Sequence, residues 1–467
     1  MTHVLIVGDG PEAHHLAERL SHRHHAGTVT ILGSGAAQRP FLPPSTVASV
    51  STPHLLSRPP SGARVLGGVT VHAIDREHRR VRASVDGVAA DHSYDVLVLA
   101  TGARPVVPRV PGLTGPDGRP VQGVCTPSTA ADYDEIAVGD VVVLGGGARE
   151  VETAGALAAR GAHTTLVCPA PYPLDGRLDA IGGRMLTERL EPAGVTVIGG
   201  NTVVHRAPGR VVLTDGTSLR ADTVVVCASP VPETGLARAA GLDVRDGILV
   251  DDRLRTSDPY VHALGDCTEH DGRTMAGANA AWDQGEILAE VLVGRAAAHR
   301  SVAPVLRLST AVADVACIGS LDDFERHGTR SISLIDPVGH RYARLALHDE
   351  RIVAAVLFGL PQAIATIAFL HRSGRPLPSD RLGLLLDLPP RPRAADSTEA
   401  SEDALVCLCN SVSQGALSRA WRAGARTVTA LAAATRATTG CGGCGGAVRE
   451  LCHSWASETG PELEKAS

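Results

Sequence analysis

Lysine is all but missing from this 467-residue chain, where Lys465 stands alone among 44 basic residues. Against 50 acidic residues the formal net charge is −6, so there is no basic field to hold a nucleic acid. Aromatic residues are scarce at 3%, yet the hydrophobic content of 44% is ample for real cores. No apolar run approaches the roughly 18 residues needed to span a bilayer. Met1 to Val7 leads straight into a glycine motif and not into a signal-peptide cleavage site. These absences predict a cytoplasmic protein with no membrane and no nucleic-acid partner. Six cysteines, Cys125, Cys168, Cys227, Cys267, Cys317 and Cys452, show no paired spacing. A disulfide framework is therefore not expected, and most of these six should be small buried hydrophobes.

What is present begins at the far end. Cys407 and Cys409 form a C-x-C pair, and after 31 intervening residues Cys441 and Cys444 form a C-x2-C pair. Four thiolates gathered by one folded segment suit zinc or a 2Fe–2S cluster. Structural zinc prefers C-x2–4-C knuckles. A C-x-C pair beside glycine N–H groups and helix N-termini favours an anionic cluster, whose sulfurs accept hydrogen bonds. Ser413 and Thr427 read as N-caps of helices over 414–423 and 428–435, and a third helix should start just after Cys444.

At the other end, Val4 to Ala13 reads as a buried strand, a glycine turn and a helix from about Pro11 to Leu20. In this G-x-G-x-x-A motif Gly8 makes the turn, Gly10 lets backbone approach a pyrophosphate, and Ala13 stands at the third small position. The second strand is expected at Thr28 to Leu32, after which an acid normally holds the adenosine ribose. None exists between Arg19 and Ile74, which leaves Ser34 as the nearest polar candidate. The histidines His14, His15, His22, His24 and His25 are expected on a solvated helix end, since neighbours on a helix point apart.

A second apolar strand ends in the turn Ala100-Thr101-Gly102, and a third ends in Gly265-Asp266. The Asp266 carboxylate suits either a ribityl hydroxyl or the cap of a helix near 277–293. Between them lies another glycine turn, Gly145-Gly146-Gly147, opening a helix to about Arg160 and a strand from Thr164 to Cys168. Two nucleotide folds imply two nucleotides. Gly145, Gly147 and Glu152 are the candidate contacts of the second. Glu150 takes its third small position and sets negative charge where phosphate should be welcome. Neither an acid nor an arginine ends that second strand, so NADH and NADPH are not distinguished.

Residues 303–380 alternate strand patterns with one helix over 361–373, an α+β arrangement. Pro389, Pro390 and Pro392 followed by a Ser-, Ala- and acid-rich run read as a linker over 385–403.

These residues match known families. The cysteine module resembles the bacterioferritin-associated ferredoxin type of 2Fe–2S domain, whose C-x-C-N and T-G-C-G-x-C segments are matched at Cys407, Cys409, Cys441 and Cys444. The first 300 residues resemble the FAD-dependent pyridine nucleotide-disulfide oxidoreductases, with FAD motifs matched at Gly8-Asp9-Gly10, Ala100-Thr101-Gly102 and Gly265-Asp266. The family's aromatic-x-Arg segment corresponds to Phe41-Leu42-Pro43, without the arginine. No paired redox cysteines follow the first motif. The order of parts is similar to the N-terminal half of the siroheme-type assimilatory nitrite reductase large subunit. Arg177-Leu178-Asp179 and Ser309-Thr310 fall on similar residues there.

The resemblance implies an α/β chain with two Rossmann-like domains. A FAD domain over 1–118 and 238–300 would carry an inserted NAD(P) domain over 119–237. A third domain at 303–380, a 2Fe–2S module at 404–456 and a tail at 457–467 would follow. No further cysteine cluster is available for siroheme cofactors, so it also implies an electron-transfer subunit serving a separate partner, such as the molybdenum catalytic subunit of an assimilatory nitrate reductase. Two other readings remain open: a FAD and 2Fe–2S subunit that bypasses nicotinamide, fed by a ferredoxin or part of an amine or amino-acid dehydrogenase, and a non-catalytic redox sensor.

Overall fold

The computed structural model describes the chain apart from residue 1 and residues 34–61, 86, 128–131, 134, 228–229, 275–277, 300–304, 311, 379, 387–404, 408–411, 439–443 and 459–467. The chain divides into two units, Met1–Val142 with Val203–Val302, and Val143–Thr202 with Ala303–Ser467.

The first unit is built on a parallel sheet. His3–Val7 lies at its centre, with Thr28–Leu32 and then Ala63–Leu66 on one side and Val96–Leu99 and then Val261–Ala263 on the other. An uninterrupted apolar run suits a strand covered on both faces. Val4 and Ile6 face the helices Pro11–His22 and Ala278–Leu292, through Leu16, Leu20 and Leu288. Leu5 and Val7 face the other way, toward Val69, Val81 and Ala83 of an antiparallel sheet formed by Val69–Asp75, Arg80–Val85 and Val88–Ser93.

The helix Pro11–His22 starts at Gly10 with Pro11 in its first turn, where a missing N–H costs nothing. His15, Arg19 and Arg23 recur every four residues, so they share one face. They meet Glu286, with His15 Nε2 at 3.3 Å, Arg19 Nε at 3.5 Å and Arg23 Nη2 at 2.7 Å. Arg23 Nε also reaches Glu290 at 2.6 Å. His15 is therefore buried against Glu286, not solvated, because Gly285 of the opposing helix leaves room for its ring.

In the second unit the end of strand Asp140–Leu144 leads into helix Ala148–Ala159 and the parallel strands His163–Val167 and Val195–Ile198. A five-stranded antiparallel sheet follows, ordered Leu306–Ser309, Asp314–Ile318, Arg351–Phe358, Arg341–His348, Arg330–Asp336. Helix Pro361–Ser373 closes its core through Ile364 and Ile367. Asp179 caps helix Ala180–Leu190 by accepting from Gly182 N–H at 3.0 Å, and the Tyr342 hydroxyl donates to the same carboxylate. Arg177 donates to the Gly319 carbonyl at 3.2 Å. These contacts tie the Arg177-Leu178-Asp179 segment to the antiparallel sheet.

The C-terminal module holds helices Gln414–Arg422, Val428–Thr435 and Gly445–Glu458. The first two start at the expected caps. Ser413 accepts from Ala416 N–H at 3.2 Å, and Thr427 accepts from Ala430 N–H at 3.1 Å. Among the described residues no helix is long and apolar enough to cross a membrane.

Desolvation raises the Glu286 pKa, but His15, Arg23 and Arg19 more than offset it and bring the value down to about 2 from 4.5. A depressed carboxylate stabilises the fold above its unfolded value and stops doing so as it protonates. Stability from this clamp should therefore be intact above pH 4.5 and fall away toward pH 2. Substituting E286Q should cost about 1 kcal/mol at neutral pH, allowing for solvent screening, and shrink between pH 4.5 and 2. Urea unfolding across that range measures it, and equal loss at pH 7 and pH 2.5 would refute the clamp.

Candidate functional site

All three motifs of the first fold end strands of its parallel sheet on the same side. Gly8 has φ 115°, a conformation that favours glycine, and a methyl group there would collide with the Ala100 carbonyl oxygen. The first two motifs thus touch backbone to backbone. Gly8 N–H donates to Leu32 O at 2.9 Å, and Ala100 N–H donates to Val7 O at 2.8 Å. Ala13 is fully buried and its N–H donates to Gly10 O at 3.1 Å, which seats the helix on the sheet. Thr101 sends its hydroxyl to the Glu233 carbonyl at 2.7 Å, while Gly102 O accepts from Glu233 N–H at 2.9 Å. Thr101 therefore shapes the turn.

The third motif is held by a residue that sequence reasoning missed. Gln284, fully buried on helix Ala278–Leu292, accepts from Gly265 N–H at 2.6 Å and donates to Thr268 Oγ1 at 3.2 Å. No local signal marked it, since Asp283, Glu286 and Glu290 on the same helix are as polar and only the fold buries Gln284. Gly265 has φ 82°, and a side chain there would press on Glu12. Half-buried Asp266 acts electrostatically on the same Glu12.

Glu12 also escaped notice in the sequence. Its carboxyl folds back over Gly10 and takes the Glu12 backbone N–H. That N–H belongs to the anion-binding end of the helix. The carboxylate stands where a phosphate oxygen would be received, so the cradle fits a dinucleotide diphosphate and holds its own competitor. Desolvation raises Glu12 to about 7 against the lowering effect of its N–H bond, with smaller upward contributions from Asp266 and Asp9.

The second glycine turn repeats this design. Gly145 has φ 111° and donates its N–H to Val167 O at 2.9 Å, while exposed Gly147 caps helix Ala148–Ala159. Glu150 folds back over both glycines and takes N–H groups of Gly147 and its own backbone. Burial again raises its pKa. Glu152, two residues further, is buried inside the fold. At the end of the second strand Cys168 lies under Gly146, its thiol pushed up to about 12 by desolvation, so it stays neutral there.

In the C-terminal module Cys407 ends strand Leu405–Cys407 and Cys444 immediately precedes helix Gly445–Glu458. Both belong to one small core with Leu417, Trp421 and Val448. Thr438 N–H donates to Cys444 Sγ at 3.2 Å. An N–H aimed at sulfur suits an anionic thiolate-held cluster. Ser34, Cys409 and Cys441 lie outside the described residues, as does the 41–43 segment.

Comparison with known proteins agrees with this geometry. Residues 2–285 match the family model described as pyridine nucleotide-disulphide oxidoreductase. The chain belongs to that family. Residues 405–454 match the BFD-like [2Fe-2S] binding domain. The "Nitrite reductase [NAD(P)H] large subunit" of Klebsiella oxytoca is 31% identical over 85% of this chain and 42% of its own length. The "Assimilatory nitrate reductase electron transfer subunit" of Bacillus subtilis (strain 168) is 28% identical over 77% of this chain and 46% of its own. The chain thus spans less than half the length of these curated relatives. Among solved structures, the covalent putidaredoxin reductase–putidaredoxin complex superposes with a TM-score of 0.70 at 26% identity, covering 82% of this chain and 95% of that one. The cofactors of this oxidoreductase are accordingly FAD and a 2Fe–2S cluster, with a pyridine nucleotide as the donor for which the family is named.

A charged Glu12 competes with diphosphate and a protonated one does not. FAD affinity should therefore weaken about tenfold between pH 6 and pH 8, and E12Q should remove that dependence. Flavin fluorescence titration measures both, and a flat wild-type profile would rule out the competition.

Proposed function

We propose that this chain is the reductase component of a two-protein system. It takes electrons from NAD(P)H and delivers them, through FAD and the cysteine-held cluster, to a separate partner reductase. The catalytic subunit of an assimilatory nitrate reductase is the partner that the name of the Bacillus subtilis relative supports, and the resemblance implies that it is a molybdenum enzyme. The observation that carries the reading is the pairing of two glycine-turn nucleotide folds with a separate cysteine module in one chain. Nicotinamide supplies two electrons as a hydride and a 2Fe–2S centre takes one, and flavin chemistry joins the two regimes.

The protein's own contribution on this reading is placement. Gly8 and Gly10 are assigned to the close backbone approach of the flavin diphosphate at the start of helix Pro11–His22, with buried Ala13 keeping that helix near the sheet and Ala100, Gly102 and Gly265 as the neighbouring turns that leave room. Asp266 is assigned to the ribityl chain. Gly145 and Gly147 do the same for the nicotinamide dinucleotide, with Glu152 behind them. Cys407, Cys409, Cys441 and Cys444 are assigned as cluster ligands. The composition of residues 389–403 supports a tether by which the module reaches both flavin and partner.

One observation favours a second reading. Glu150 occupies the donors that a nicotinamide diphosphate needs, which suits a chain fed by a ferredoxin.

Anaerobic addition of NADH or NADPH should bleach the flavin absorbance, after which cytochrome c should be reduced catalytically. No bleaching with either nucleotide would transfer support to the ferredoxin-fed reading. Bleaching without onward transfer would favour a redox sensor. Replacing Glu150 by Gln should lower the KM for the nucleotide several-fold by removing negative charge from the helix N-terminus, and steady-state kinetics would show it. The C444S variant should lose the visible absorbance of the cluster together with cytochrome c reduction.

A further inference from the structure

In a dinucleotide fold the adenosine ribose is normally held by an acid at the end of the second strand. Here that strand, Thr28–Leu32, runs into Gly33, which has no side chain. Gly33 is nonetheless firmly placed, since its N–H donates to Leu66 O at 2.9 Å and its carbonyl accepts from Val69 N–H at 2.8 Å. A Cβ built on Gly33 would fall on the side chain of Asp9, whose Cβ, Cγ and Oδ2 are its nearest neighbours. Asp9 is the middle residue of the Gly8-Asp9-Gly10 turn and is half-buried. Its carboxyl group thus reaches across from the first strand's turn into the volume beside the end of the second.

We infer that Asp9 supplies the carboxylate that receives the adenosine ribose hydroxyls of FAD, in place of the missing second-strand acid. The chemistry fits the position. A ribose diol offers two O–H donors, and a carboxylate accepts both without a proton or a metal. Gly33 is the complement of this arrangement, because any side chain there would displace Asp9. The titratable neighbours acting on or beside Asp9 are Glu12 and His14 of the following helix. Removing the Asp9 charge would also ease Glu12, which changes affinity for every flavin dinucleotide alike. A ribose contact changes it only for ligands that carry the hydroxyls.

That difference sets the experiment, which rests on FAD being the ligand of the first fold. The full chain is equilibrated with equal amounts of FAD and an FAD analogue whose adenosine ribose lacks both hydroxyls, and the retained flavins are separated and counted. Wild type should retain FAD over the analogue by roughly 10- to 100-fold, the size of a charge-assisted hydrogen bond. In D9A the ratio should fall close to one and in D9N, whose amide oxygen still accepts a neutral hydrogen bond, it should fall several-fold, with circular dichroism confirming that both variants are folded. A wild-type ratio near one, or a D9N ratio equal to wild type, would overturn the inference while leaving FAD in place. Retention of neither flavin by wild type would overturn the FAD assignment and this inference with it.

Discussion

The close backbone contact between Gly8 and the Ala100 carbonyl is the constraint on which the first unit depends. Two strands can end side by side with their turns interlocked only if one turn carries no Cβ. Once they do, the first turn of helix Pro11–His22 comes to lie against the third motif, where the Glu12 side chain stands beside Gly265. The Glu286 and Glu290 clamp then fixes the far side of that helix against Ala278–Leu292, and Gln284 of the same helix holds the Gly265 turn. One helix thereby holds both the helix that follows the first motif and the turn of the third.

The two glycine folds share an unusual electrostatic choice. In each, a glutamate of the first helical turn folds back onto the N–H donors that make the turn an anion site. A helix N-terminus stabilises a carboxylate by the same physics that stabilises a phosphate. The internal carboxylate keeps those donors bonded, at the cost of competing with the ligand. Burial raises the pKa in both, which lets the competitor be neutralised near physiological pH at Glu12.

The redox module follows a different logic. Cys407 and Cys444 come from a strand end and a helix start far apart in sequence, and a few apolar residues gather them into one core. Ser413 and Thr427 define the intervening helices by capping, so local hydrogen bonds determine how the two segments return to each other.

Much of this was legible in the residues. The strand at Thr28–Leu32 and the helix at Val428–Thr435 were readable to the residue, and the helix at Pro11–His22 to within a turn, because apolar period, capping side chains and glycine turns act over a few residues. The cysteine spacing and the order of glycine motifs were likewise local signals. What only the tertiary structure decided was where side chains from separate segments end. Glu12 turned back onto its own helix, His15 was taken into an ion-paired interface, Gln284 was drawn to Gly265, and Asp9 reached the place left by Gly33. None of these follows from neighbours in the chain. Each depends on the space and charge that a distant strand or helix brings to it, and that is fixed only when the sheet has closed.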